Sequence, residues 1–379
     1  MRRLIAAIAL TIAAASSLTA QTHTRERITV QQLEDAVAAE RASPDKKAAQ
    51  KLDGLELTER LAASRFAQLK EALPGPESRQ RLRVIADAAE FLDLPQRDIL
   101  PDAKPDPDTL RDILVRTAEF VSGTVKKMPN FSATRTTIRY RDYIPPFNSM
   151  PPVVILTPGI YHLMDNAQAR VRYDNGKEES EPLSGKKAGQ RSARITGVAN
   201  LGLFGPLLGV VVADMLRSRM MWGYWEQGAS GPLAVFRFSV PQDNAHYKVQ
   251  YCCVSGQPSK EFFPPYHGEI AIDAETGRIL RIVVEADVQS TGLLSRSDLL
   301  VEYGEVPIGS KKYVCPLHSA SITTEAMPDR PGPNYAVAGE TALLQGDLRH
   351  VTWINDIAFT DYHVFASEIR ILPDGGSTP

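Results

Sequence analysis

The feature that most constrains this chain is a change of apolar spacing at Asn130, from the helical period of about 3.6 to the strand period of about 2. Ahead of it, Thr29 and Gln32 have the spacing of a capping box, and Leu33, Ala36 and Val37 carry a helical stripe towards Arg41. Ser43 and Pro44 read as the cap and first residue of a second helix that breaks at Gly54. A third stripe runs from Thr58 through Leu61, Phe66 and Leu69 to Leu73, and a fourth carries Leu82, Ile85, Ala86, Ala89 and Leu92. Pro95, Pro101, Pro105 and Pro107 mark a stiff linker, because proline denies a helix its backbone donor. Asp106 and Pro107 then open a last helix that ends near Met128.

Past Asn130 the residues alternate. Thr134, Thr136, Ile138 and Tyr140 face one way and Arg135, Thr137, Arg139 and Arg141 the other. The pattern recurs at Ala169, Val171 and Tyr173, at Ala234, Phe236, Phe238 and Val240, and at Tyr247, Val249, Tyr251 and Cys253. Glu269 to Asp273 and Arg278 to Val284 form a hairpin, with Gly277 where the turn needs a left-handed residue. Further strands are predicted at 299–303, 312–322, 351–359 and 363–372. Roughly ten strands in succession imply an antiparallel meander that curls. Residues 177–195, rich in Lys, Glu, Gly and Ser, read as a solvated loop, and 198–217 as an apolar insert holding a short helix from Pro206 to about Arg217. The expected fold class is α+β. An α-helical N-terminal region over 21–128 precedes a strongly curved antiparallel sheet, a half-barrel, over 129–379, with the apolar helix against its concave face.

The first twenty residues have the layout of a secretory signal: Arg2 and Arg3, an apolar run from Leu4 to Ala15, then small residues ending at Ala20. That run is too short to span a bilayer, so cleavage after Ala20 and export to the periplasm or beyond are expected, with no transmembrane anchor. The chain carries 43 Lys plus Arg against 45 Asp plus Glu, without the basic stripe that nucleic acid requires. Three cysteines allow at most one bridge. On a strand, Cys252 and Cys253 face opposite ways, so only one of them reaches Cys315; a bridge such as Cys253–Cys315 and a set of buried free thiols are equal alternatives.

No catalytic motif is found. The nearest approach to a nucleophile elbow, Gly228 to Pro232, fails at its last position. The seven histidines lie singly, without the close spacings of a metal site, so neither metal nor cofactor is expected. Tyr266 and Gly268 alternate with His267 and Glu269 and therefore do not converge.

The segments Leu55 to Leu61, Met128 to Thr137 (MPNFSATRTT) and His267 to Leu280 (HGEIAIDAETGRIL) resemble those of large exported bacterial proteins, a group that supplies no activity to carry over. The strand-rich half, with its IDAETGRILRI hairpin and apolar insert, is similar in pattern to periplasmic lipoprotein carriers and outer-membrane lipoprotein-sorting proteins. That resemblance implies a curved sheet wrapped around an apolar cavity closed by helices. The expected function is a cell-envelope protein that binds an acyl chain, lipid or lipoprotein; the alternative is an envelope protein-protein interaction module without a small ligand. The residues expected to line the cavity are Phe204, Leu207, Leu208 and Val211 from the insert and Phe236, Phe238, Tyr251 and Ile282 from the strands.

Overall fold

A computed structural model describes residues 25–127, 130–142, 160–174, 177–183, 197–198, 206–228, 231–252, 260–288, 294–328 and 348–364. The N-terminal layer begins with β1 (Glu26–Ile28) and α1 (Val30–Glu40), followed by α2 (Asp45–Leu52) and β2 (Leu55–Leu57). α3 (Ala63–Ala72) and α4 (Pro76–Ala89) complete it. The capping box forms as its spacing requires: Gln32 N donates to Thr29 Oγ1 at 3.2 Å, and Thr29 N donates to Gln32 Oε1 at 2.8 Å. Two sequence expectations shift. Pro44 rather than Ser43 occupies the cap position of α2. The Thr58 stripe becomes helical only at Ala63, because Leu55–Leu57 is extended and pairs in parallel with β1. Asp45 reaches across to cap α4, accepting from Glu77 N and Ser78 N at 2.9 Å each. Leu33, Leu52, Leu69, Leu73, Leu82 and Ile85 form the layer's own core.

The proline-rich segment is more than a linker. Its β3 (Ile99–Leu100) pairs with the edge of the large sheet, and α5 (Pro107–Lys127) follows. Asp106 opens α5, accepting from Asp108 N and Thr109 N at 3.0 Å each. The sheet elements are β4 (Phe131–Arg141), β5 (His162–Asp174), β6 (Lys177–Pro182), β8 (Arg219–Gln227), β9 (Pro232–Val240), β12 (Tyr266–Asp273), β13 (Ile279–Ala286), β14 (Leu294–Ile308), β15 (Lys311–Pro328) and β16 (Leu348–Val364). With β3 they form an 11-stranded antiparallel sheet in the order β3-β8-β9-β12-β13-β14-β15-β16-β4-β5-β6, which is not closed.

Two expectations about this region are corrected. Residues 177–182 are not loop but the edge strand β6, whose exposed charged side chains suit an edge. The strands do not all share one sheet: β7 (Gly197–Val198), β10 (Val249–Cys252) and β11 (Lys260–Phe262) form a separate three-stranded sheet. Pro241, which cannot donate to a ladder, ends β9, and β9 pairs directly with β12. Tyr251 therefore sits outside the large sheet.

The sheet has two faces of different chemistry. On one, Phe236, Phe238, Ile270, Ile282, Val301 and Phe359 share a core with Ile113 and Val121 of α5. The apolar insert supplies α6 (Pro206–Leu216), whose Leu207, Val211, Val212 and Met215 enter the same core, each such side chain contributing about 1.5–3 kcal/mol. Asp214 fixes α6 by accepting from His246 N at 2.7 Å and Tyr266 Oη at 2.8 Å. The opposite face lies against α4 and carries charges. No helix among the described residues is long and apolar enough to cross a membrane.

The predicted hairpin forms with Gly277 at φ 72°, and a Cβ there would lie 2.5 Å from the backbone of Arg116 in α5. Gly277→Ala is expected to destabilise the protein by about 2 kcal/mol or more, from the left-handed backbone and the collision together; urea unfolding measures it.

Candidate functional site

The charged face is built from residues that strand alternation and helix periodicity place together. On α4, Asp87 faces the sheet, with Arg83 one turn before it and Glu90 just past the helix end, while Leu82, Ile85, Ala86 and Ala89 point into the helical core. Across the sheet, Arg281 stands opposite Glu302, and Glu302 opposite His318. Asp356 of β16 is the diagonal neighbour that completes the row.

The strongest contact is a two-pronged one. Arg281 Nη1 and Nη2 donate to Glu226 Oε1 and Oε2 at 2.8 and 2.6 Å, reaching over the buried Val235 and Ala271 of the strands between them. Arg60, from the segment after β2, adds a bond to Glu226 Oε2 at 3.1 Å and one to Tyr224 Oη at 2.9 Å. Tyr224 Oη in turn donates to Glu269 Oε2 at 2.9 Å. Arg237 links Glu269 at 2.9 Å to Asp93 at 2.8 Å. The N-terminal layer is thus attached to the sheet by a continuous run of charge-assisted bonds.

Electrostatics follow from this geometry. Burial pushes the Glu226 carboxyl up, but the Arg281 and Arg60 guanidiniums outweigh it and hold the group below the ordinary carboxylate range. Burial also opposes charge on Glu302 and on His318. Their mutual hydrogen bond at 3.0 Å, with the bond from His318 Nε2 to Asp356 Oδ1 at 3.1 Å, reverses the balance, so Glu302 titrates low and His318 high. Asp87 is different. Fully buried, and beside Asp356, its carboxyl is driven well above the usual range. Glu90 is raised by burial and by the neighbouring Glu302 charge.

Beside this row opens a cavity of about 710 Å³, between the chain after α4 and strands β8, β9, β12 and β13. Arg60, Glu90, Arg237 and Glu269 border it on the network side, and Phe91, Met221 and Pro265 supply apolar walls. Arg219 at its rim is exposed, and its side chain has no hydrogen-bond or ion-pair partner among the described residues. His267 and Glu285 face the same space, 3.9 Å apart. As alternation requires, Tyr266 points the other way, to Asp214.

The residues expected from sequence to line an apolar cavity lie on the opposite face. Leu207, Val211, Phe236, Phe238 and Ile282 come together there as buried members of one cluster, and of these Phe238 also borders the charged cavity. Phe204 lies outside the described residues, and only the backbone is described for Leu208 in α6 and Tyr251 in β10. Cys315 carries a free, buried thiol, and Cys253 lies outside the described residues. Sequence reasoning missed Glu226, Arg281 and Glu302 altogether, and it placed His318 among scattered histidines. The available signal was a charge inside a continuously apolar strand, as in LLVEY around Glu302 and ILRIVV around Arg281. A residue there is buried whichever face it takes.

Replacing Arg281 with Met should cost about 3–5 kcal/mol, because Glu226 keeps its burial and loses its fork. The double variant Glu226→Leu with Arg281→Met should cost less than the two single changes combined, and a double-mutant cycle in urea tests this. Burial pushes the Cys315 thiol up to about 12, so in a variant with Ser at 252 and 253 iodoacetamide should label Cys315 only under unfolding conditions; mass spectrometry reads the outcome. No protein-family model matches the chain, and no curated protein or solved structure matches it either.

Proposed function

We propose that this is an exported binding protein whose site is the cavity between the chain after α4 and strands β8, β9, β12 and β13. Its ligand class is a small solute carrying charges of both signs together with apolar surface, such as a short peptide. The observation that carries this reading is the composition of the walls. Guanidiniums of Arg60, Arg219 and Arg237 and carboxylates of Glu90, Glu269 and Glu285 share the walls of about 710 Å³, a volume within the usual range of small-molecule sites, with Phe91, Met221 and Pro265. Most of the charged groups are already held by partners, which fixes their positions before a ligand arrives and lowers the cost of binding. Arg219 is the unpaired cation that a ligand carboxylate would meet.

A second reading keeps the apolar face as the site. The large sheet would bend into a half-barrel around α6, with an acyl chain held against Phe236, Phe238 and Ile282. The apolar character of α6 and its burial in that core favour it. α6 would have to yield its place, which requires parting Asp214 from His246 and Tyr266. An envelope interaction module without a small ligand is the reading left if neither site binds.

Thermal-shift measurements against a panel of di- and tripeptides test the first reading. At least one member should raise the midpoint at millimolar concentration or below, and Arg219→Glu should weaken that ligand about tenfold or more, a loss of roughly 1.4 kcal/mol. No shift with any member removes the peptide reading. Saturable uptake of a fluorescent fatty acid at micromolar concentration, unaffected by Arg219→Glu, would move the site to the apolar face.

A further inference from the structure

The buried row contains a group that its protein partners do not satisfy. Asp87 is fully inaccessible, yet neither carboxylate oxygen accepts a hydrogen bond. Arg83 Nη1 and His318 Nε2 approach only to 3.6 Å. A buried carboxylate left in this state is costly, and proteins retain such a group where something else completes it. Around it, Glu302 and Asp356 each hold one ring nitrogen of His318, at 3.0 and 3.1 Å, so the partners nearest to Asp87 are already engaged.

The positions of the donor atoms specify what could complete that group. One donor atom from each of Asp87, His318 and Asp356 lies within 4.8 Å of the others. His318 Nε2 is 3.1 Å from Asp356 Oδ1 and 3.6 Å from Asp87 Oδ1. Ligands about 2.0–2.1 Å from a tetrahedral ion stand roughly 3.3 Å apart, between those two separations. The other ring nitrogen, Nδ1, is held by Glu302 Oε2 at 3.0 Å. A carboxylate on that nitrogen fixes the tautomer that leaves Nε2 free to ligate, as in the carboxylate–histidine–metal arrangement.

We propose that Asp87, His318 and Asp356 bind a divalent transition-metal ion of the zinc class, with Glu302 as the positioning residue for His318. One imidazole and two carboxylates suit zinc, manganese or ferrous iron rather than a thiophilic metal. The ion would take the place of the proton on Nε2, satisfy Asp87, and join α4 to β15 and β16. It would therefore tie the N-terminal layer to the sheet at a point that the Glu226–Arg281 fork does not reach. The inference does not rest on the ligand cavity.

The test uses the full-length protein stripped with EDTA and given Zn²⁺ against a competing chelator. The expected result is one equivalent bound and a raised thermal midpoint. Asp87→Asn and Asp356→Asn should each weaken binding at least 100-fold, and Glu302→Gln should weaken it 10- to 100-fold. Asp87→Asn should also raise the midpoint of the metal-free protein, since it removes a buried carboxyl that accepts no hydrogen bond; a residue with only a packing role would not do both. Uptake below a tenth of an equivalent at tenfold excess Zn²⁺, or full uptake by Asp87→Asn, overturns the proposal and leaves an imidazolium–carboxylate clamp only. Should either Asn variant fail to fold, the Co²⁺-loaded wild type decides. Ligand-field bands without thiolate charge transfer support the site, and a thiolate band places the ion at cysteine and overturns it.

Discussion

The fork between Arg281 and Glu226 is the contact on which the arrangement of layers depends. It is buried, bidentate and shared with Arg60, so it belongs to both the sheet and the N-terminal layer. Burying these charges is expensive, and a well-packed apolar pair would stabilise at least as well. What the ionic pair supplies is direction. An apolar face accepts a helix at several angles, whereas a guanidinium fork accepts one carboxylate geometry. The position of α4 over β15 and β16, and with it the width of the neighbouring cavity, follows from contacts of this kind.

The two faces of the sheet divide the work. One is filled by α5 and α6 and supplies the large apolar core. The other keeps smaller apolar patches, around Tyr140 with Ile322 and around Val283 with Leu300, as islands between charges. Those islands exclude water from the row and strengthen each ion pair within it. The same exclusion makes an unsatisfied group such as Asp87 conspicuous.

Much of the architecture was legible in the sequence. The change of period at Asn130 separates helices from strands, and the capping box at Thr29, the start at Asp106 and the turn at Gly277 all act locally, where a few residues decide the outcome. The errors arose where distant pairing overrides local pattern. Ile99–Leu100 reads as linker because its partner, Trp225 with Glu226, is far away in sequence, and Lys177–Pro182 reads as loop because an exposed charged edge strand lacks an apolar signature. The charged row was hidden for the same reason. Arg281, Glu302, His318 and Asp356 lie on four strands, and only register aligns them. Burial of a charge in an apolar strand was visible at each position separately, but its partner was not.

The sheet order places β16 between β15 and β4, and Thr352 donates to Asp142 across 210 residues of chain. Until that late strand is made, β4 to β6 have no neighbour on one side and the growing meander ends at an open rim. Contacts of such long sequence separation make assembly slow, with unpaired edges exposed meanwhile. A ribosome-bound chain therefore cannot finish this sheet before β16 is made, and the rims of β15 and β4 stay open to other strands until then.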